Sequence, residues 1–227
     1  MRMGLLKKKP DWSDEDFRRY WRERHGPLAS RLPGLRAYRQ NHVVEARQHD
    51  FGELGSRMLF DGFSQLWFDH GTRLREGLSG DIGADLIRDE NHFLGTLHIV
   101  SAESDEIVEP PQTQGMLVKR MSVLKRSDGT RAEDFRREWS EGYAALVRAM
   151  PGVRGYRQNV IVARERVKGT PCAYEELPID GIAELWFDDA QSMEQAFSSA
   201  PGCEAMAHAK TFLAEITSFL VREYRVI

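Results

Sequence analysis

An α+β fold built from two equivalent halves is what this sequence predicts, and three observations carry the prediction. FRRYWRERHGPLASRLPGLRAYRQN at 17–41 returns as FRREWSEGYAALVRAMPGVRGYRQN at 135–159, 118 positions on. FDGFSQLWFD at 60–69 returns as IDGIAELWFD at 179–188, 119 positions on, so the loop between the two motifs is one residue longer in the second copy. Within each copy the patterns run strand, helix, strand, strand, helix, strand, which is the ferredoxin-like split βαβ order.

In the first half, residues 3–8 read as a short strand stopped by Pro10. Ser13 followed by Asp16 is an acidic capping box that opens a helix at Asp14. Phe17, Trp21 and Leu28 fall on one face of it at helical spacing. Pro27 and the Pro33-Gly34 step punctuate it, so the helix is expected to fray near His25 or to resume briefly before ending at Pro33. Residues 35–44 alternate as a second strand, 45–59 read as a long loop, and Asp61-Gly62 turns into a third strand at 63–68. Helices are expected at 71–78 and from Ala84, then a fourth strand at 94–102. The second half repeats this with strands at 116–125, 153–163, 182–187 and 216–226 and helices at 132–150, 190–199 and 203–214. The acidic stretch containing Pro110-Pro111 reads as a linker, dividing the chain into a first half at 1–102, a linker at 103–115 and a second half at 116–227.

A sheet with both helices on one face leaves the other face bare, and two tethered halves can cover each other. The expected architecture is two sheets meeting face to face as an intramolecular barrel, a monomeric pseudo-dimer with a cavity between the sheets. Higher homo-oligomers are left open. A net charge of -3 gives no electrostatic footprint for nucleic acid. No apolar run approaches the ~20 residues that span a bilayer, and the opening residues are too basic and short for a signal peptide, so a cytoplasmic chain without a membrane partner is expected. Cys172 and Cys203 lack metal-ligand spacing, and neither a zinc site nor a disulfide framework is expected.

W-x-x-x-H-G-P-L at 21–28, L-P-G-L-R-A-Y at 32–38 and D-G-x-x-x-L-W-F-D at 61–69, each returning in part in the second copy, resemble the EthD family of the dimeric α/β-barrel superfamily. The resemblance implies tandem ferredoxin-like repeats forming one dimeric α/β barrel. Superfamily members include muconolactone isomerases, polyketide cyclases, dehydratases, cofactor-free oxygenases and haem-handling enzymes. Similarity to methylmuconolactone methylisomerase implies catalytic roles for His25 and for Tyr38 thirteen positions later, with His49 as the counterpart of a loop histidine. The cysteine which that enzyme carries before the third-strand Trp is Leu66 here and Leu185 in the second copy, which argues against the same reaction.

The residues support acid/base chemistry independently. His25 has the side chain suited to moving protons near neutral pH, although a cation capping a helix C-terminus is the plain alternative. Its copy is Tyr143, while the neighbouring scaffold is kept. Tyr38 and its copy Tyr156 read as donors to an oxyanion or as strand packing. Tyr38, Gln40 and His42 alternate with Ala37, Arg39 and Asn41, so either strand face carries polar atoms into the chamber. Trp21 and Trp67 read as core or cavity wall. His42 and His98 are confined to the first half, their copies being Val160 and Thr217. No carboxylate accompanies His25, His42 and His98 at ligand spacing, so no metal is expected, nor any cofactor. The expected function is a cofactor-independent acid/base enzyme, a lyase (dehydratase or decarboxylase) or an isomerase, acting on a small aromatic or polyketide-like metabolite. His25 and Tyr38 are its catalytic pair, and Trp21, Gln40, Asn41, His42, His49, Trp67, His98, Tyr143 and Tyr156 are its substrate-binding candidates. The alternatives are a cofactor-free oxygenase of the same fold and a non-catalytic protein that holds a small ligand or haem.

Overall fold

The computed structural model describes residues 1–48, 58–69, 80–111, 117–167 and 169–227. The first half contains β1 (Arg2–Lys8), α1 (Asp14–Tyr20), a π-helical turn (Trp21–His25), α2 (Gly26–Ala29), β2 (Leu35–Gln48), β3 (Gly62–Phe68), α3 (Asp81–Phe93) and β4 (Leu94–Val108). The second contains β5 (Val118–Arg126), α4 (Ala132–Arg137), a π-helical turn (Glu138–Tyr143), α5 (Ala144–Ala149), β6 (Gly155–Val167), the two-residue β7 (Thr170–Pro171), β8 (Gly181–Phe187), α6 (Ala190–Ser198), α7 (Ala200–Phe212) and β9 (Leu213–Arg225). The helix expected at 71–78 and part of the loop expected at 45–59 lie outside the described residues.

Each half forms an antiparallel sheet in the order fourth, first, third, second strand: β4-β1-β3-β2 and β9-β5-β8-β6. The two sheets do not simply face each other. Their edges pair, β2 with β9 and β4 with β6, closing eight strands into one antiparallel barrel to which β7 is appended. Closure leaves neither sheet with an open edge, which removes the hazard that unpaired edges carry. It also corrects the linker: β4 runs on to Val108 because Ile99 to Val108 pair with β6, so residues 103–108 are strand. β2 likewise continues to Gln48 against β9. Both seam strands carry a bulge at the same place in the repeat, where Val44 and Val162 are squeezed out of register and stand 48% and 53% exposed.

The barrel interior is occupied by side chains. Met3, Leu5, Phe63, Val100, Met121, Ile182 and Phe219 fill one end, and a polar network described below fills the other. Fully burying each large apolar side chain contributes about 1.5–3 kcal/mol. Outside the barrel, each sheet carries its own helix layer. Phe17, Trp21 and Phe93 pack in the first, and Phe135, Trp139 and Phe212 in the second.

Ser13 caps α1 as expected, accepting the Asp16 amide at 3.0 Å. The helix does not fray at His25. It widens into the π turn, whose Gly26 amide reaches back to the Trp21 carbonyl, and continues through Pro27. The same turn occurs in the second copy, which has Ala145 in place of Pro27, so the proline is not its cause. Strand two uses the widened turn: the Gln40 amide donates to the Trp21 carbonyl at 2.9 Å, and Gln158 to the Trp139 carbonyl at 2.7 Å. Gly62 and Gly181 make room for these tryptophans, since a Cβ there would stand 2.3 Å and 2.5 Å from the indole rings.

Candidate active site

Among the described residues an apolar cavity lies between the first sheet and its own helices, whereas the sequence predicts a site between the two sheets. Its walls are apolar: Leu6, Trp21, Leu32, Leu66, Phe68, Leu86, Leu94, Leu97 and Ile99. Into this wall project Arg2, His25, Tyr38, Ser64 and Glu90. An apolar pocket with a few convergent polar groups is the usual form of a small-molecule site. Its free volume is about 60 Å³. One water needs roughly 10–15 Å³ on such a measure, so a compact ligand fits without side-chain movement and a larger one requires it.

His25 sits at the end of the π turn, 6% exposed, where its Nδ1 meets Asp89 Oδ2 of α3 at 2.7 Å. A carboxylate only accepts, so Nδ1 carries the proton and Nε2 is the nitrogen left to act as a base. The other Asp89 oxygen accepts from the Tyr20 hydroxyl at 2.6 Å. Burial pushes the Asp89 carboxyl up, but the bonds from His25 and Tyr20 outweigh it and hold the group below its ordinary value.

Tyr38 projects from β2. Its hydroxyl oxygen accepts from Trp21 Nε1 at 3.1 Å and from Gln40 Nε2 at 3.0 Å. Both bonds use the oxygen as acceptor, so its own hydrogen is not spent on either. Burial raises the phenol above its ordinary value despite these two donors, so it stays protonated and able to donate at neutral pH. His42 stands behind Trp21, stacked at 4.3 Å between ring centroids, with Nε2 3.0 Å from Gln40 Oε1. Burial first, then Arg18, Arg22 and Arg222, lower its pKa to about 3, so this imidazole is neutral.

The EthD domain profile matches residues 9–96 and, a second time, 127–215. The chain belongs to the EthD family. No curated protein matches it. Among solved structures, an anthrone oxidase-like protein is similar over 99% of this chain and 92% of its own, with TM-score 0.66 and 10% identity. A candidate monooxygenase from Lactobacillus acidophilus NCFM is similar over 100% and 93%, with TM-score 0.57 and 11% identity. A candidate monooxygenase from Fusobacterium nucleatum is similar over 98% and 90%, with TM-score 0.59 and 8% identity. At these identities the likeness is one of fold.

Trp21, His25 and Tyr38 of the first EthD repeat come together in the cavity, with Gln40 and His42 supporting them from behind. Asn41 and Trp67 face the barrel interior instead, because a strand alternates its side chains. Asn41 bonds Gln65 and Lys119, and Trp67 lies under the Arg39 guanidinium. His98 pairs in register with Leu5 on that interior face, so His25, His42 and His98 do not converge. Among the described residues no cluster of His, Cys, Asp and Glu could hold a metal, and no helix is long and apolar enough to cross a membrane. His49 lies outside the described residues.

Tyr143 and Tyr156 lie in the layer of the second EthD repeat, buried with Trp139, Val147, Met150 and Phe212. Burial raises both phenols. Asp89, Tyr20, Arg2, Ser64 and Glu90 are the site residues that the sequence reading did not single out. Arg2 is clamped by Glu165 of the second repeat through two bonds of 2.8 Å, so β6 holds a residue of the cavity wall from across the seam. The copy of Asp89, 119 positions on, is His208, in a helix that keeps only Gly83 and Phe93 as Gly202 and Phe212, so the repeat gave no signal for it.

Proposed function

We propose that this EthD protein is a cofactor-independent enzyme that removes a proton from a carbon next to a carbonyl in a compact, largely apolar substrate. The observation that carries the reading is that His25, paired with Asp89, and Tyr38, whose hydroxyl hydrogen is not spent on Trp21 or Gln40, line one apolar cavity. His25 Nε2 takes the proton, and Asp89 stabilises the imidazolium through Nδ1. The electron pair left on carbon moves onto the carbonyl oxygen, where the Tyr38 hydroxyl donates to the developing enolate. Returning the proton to another carbon completes an isomerisation, and expelling a group from the adjacent carbon completes an elimination. The apolar wall suits an aromatic or polyketide-like ring of small size.

Deuterium exchange tests the reading. Pentane-2,4-dione in D2O, followed by NMR at a pH where buffer exchange is slow, should exchange faster with protein, and His25→Ala should lower the enzymatic rate about 10²–10⁴-fold. Equal rates for the two proteins, with several other small ketones giving the same result, would discard His25 as the base.

A second reading is favoured by the names carried by the similar structures, two candidate monooxygenases and an anthrone oxidase-like protein. Here the same enolate passes electrons to dioxygen instead of taking back a proton. An oxygen electrode separates the two, since the first reading consumes no oxygen during turnover.

A further inference from the structure

The Asp89 carboxylate is shared between the cavity and the outer surface. Oδ2 faces the His25 imidazole, and Oδ1 accepts from Tyr20, whose ring lines an open surface groove with Asp11, Trp12, Asp16, Arg19 and Glu23. Tyr20 is held in place by aromatic neighbours: Trp12 edge-on at 5.1 Å, Phe93 at 5.2 Å and His92 at 5.3 Å between ring centroids. We propose that Tyr20 is a positioning residue that sets the strength of His25 as a base by drawing on the carboxylate between them. The inference rests on the reading of His25 as the base.

The physical argument is one of competition. Each donor to an ionised carboxylate stabilises its charge, and a carboxylate already accepting from a phenol pulls less on an imidazolium. Burial, then the bond to Asp89, pushes the Tyr20 phenol up to about 12, so it remains a donor across the neutral range. The same bond fixes the carboxylate rotation that presents Oδ2 to Nδ1. Other titratable or charged groups around the pair are Glu90 and His92 on α3, Arg24 beside the π turn's end, Tyr38 on β2, and Arg2 on β1 with its Glu165 partner. Substitution of Tyr20 leaves all of them in place.

The second repeat supplies an independent observation. Positions 20, 25 and 89 correspond to Glu138, Tyr143 and His208, so all three change together while Phe17, Trp21, Tyr38 and Gln40 are kept as Phe135, Trp139, Tyr156 and Gln158. There the imidazole stands at the middle position, that of Asp89, its Nε2 3.6 Å from Glu138 Oε2. The second repeat holds the same three side-chain chemistries at permuted positions, so the inner imidazole that Asp89 and Tyr20 serve in the first repeat is absent there.

Titration of His25 in the full chain by ¹⁵N NMR tests the proposal without turnover, with His92→Gln used to separate the signal of the nearby imidazole. Tyr20→Phe should raise the His25 midpoint by roughly 0.5–1 unit, a 3–10-fold gain in proton affinity. Asp89→Asn should lower it, and 3-fluorotyrosine at position 20, a stronger donor, should lower it as well. Thermal melting verifies that each variant is folded. A midpoint that does not move in Tyr20→Phe, or moves down, overturns the proposal. Shifts in the expected directions, alongside a His25→Ala variant that still turns over, would remove the catalytic reading and leave the tuning intact. An unmoved midpoint beside an inactive His25→Ala variant would do the reverse.

Discussion

Gln65 and Glu184 occupy the same position in the two repeats and touch each other: the Gln65 amide donates to Glu184 Oε1 at 2.7 Å inside the barrel. A contact between equivalent residues marks the pseudo-twofold axis. Asn159 donates to the same carboxylate oxygen at 2.8 Å, and the Lys119 ammonium stands 2.6 Å from Glu184 Oε2. Lys119 also reaches Asn41 Oδ1 at 2.8 Å and Glu223 Oε2 at 2.5 Å. The copy of Lys119 in the first repeat is Met1, so this cation exists on one side of the axis only. Two copies of the second half paired together would bring two Glu184 carboxylates onto the axis, which the Gln65 partner avoids.

Lys119→Met, which copies Met1, should therefore cost about 3–5 kcal/mol in urea unfolding, because it removes the ammonium 2.6 Å from the fully buried Glu184 carboxylate and leaves it only Arg157 at 3.7 Å. Adding Glu184→Gln, which copies Gln65, should restore part of the loss. A double variant no more stable than the single one would show that the network does not depend on this charge pair.

Tyr38→Phe removes the acceptor for Trp21 Nε1 and Gln40 Nε2 as well as the cavity donor. Each buried donor left unmatched costs about 1–3 kcal/mol, and loss of one oxyanion donor lowers turnover about 10²–10³-fold. Tyr156→Phe is the matched control, since Tyr156 accepts from Gln158 at 2.8 Å in the other layer. It strands one donor instead of two, so it should lower the melting temperature less and leave turnover unchanged.

The buried, neutral His42 makes stability depend on pH in a defined direction. Its folded pKa of about 3 lies below the ordinary 6.5. Below about pH 6.5 the unfolded chain takes up a proton that the folded one refuses, so stability falls as pH drops towards 3, by up to ~1.4 kcal/mol per unit. His42→Val, which copies Val160, should flatten that slope by one proton in pH-dependent urea unfolding. It should also leave Gln40 Oε1 without its partner, as Gln158 Oε1 is left in the second repeat beside Val160.

Glu165→Gln should weaken the two-bond clamp on Arg2 and make the cavity wall more receptive to small anions. Propionate should then raise the melting temperature of the variant more than that of the unaltered chain. Equal shifts would indicate that Arg2 does not face bound ligand.

The barrel was legible in the sequence because two long motifs recur at nearly constant spacing, and a ferredoxin-like unit with one bare sheet face needs cover. How the halves join was not. Residues 103–108 carry acidic side chains without apolar alternation and become strand only by pairing with β6, a partner 48 to 57 residues away. The face question was likewise open: alternation put Tyr38, Gln40 and His42 together but could not say that their side lies under the helices. Asp89 was not legible because a surface-patterned helix hides its inward carboxylates, Asp89 and Glu90, beside the half-exposed Asp85. Only the fold brings that helix against the π turn that carries His25.

The two seams have a further consequence for how this protein could diverge. A symmetric dimer of identical subunits must accept every substitution twice, at both sites and on both sides of its axis. Once β4 and β6 belong to one continuous chain, each position can be inherited separately. Lys119 can then arise opposite Met1, Glu184 opposite Gln65, and Tyr143 opposite His25, none of which a twofold assembly of one gene product could contain.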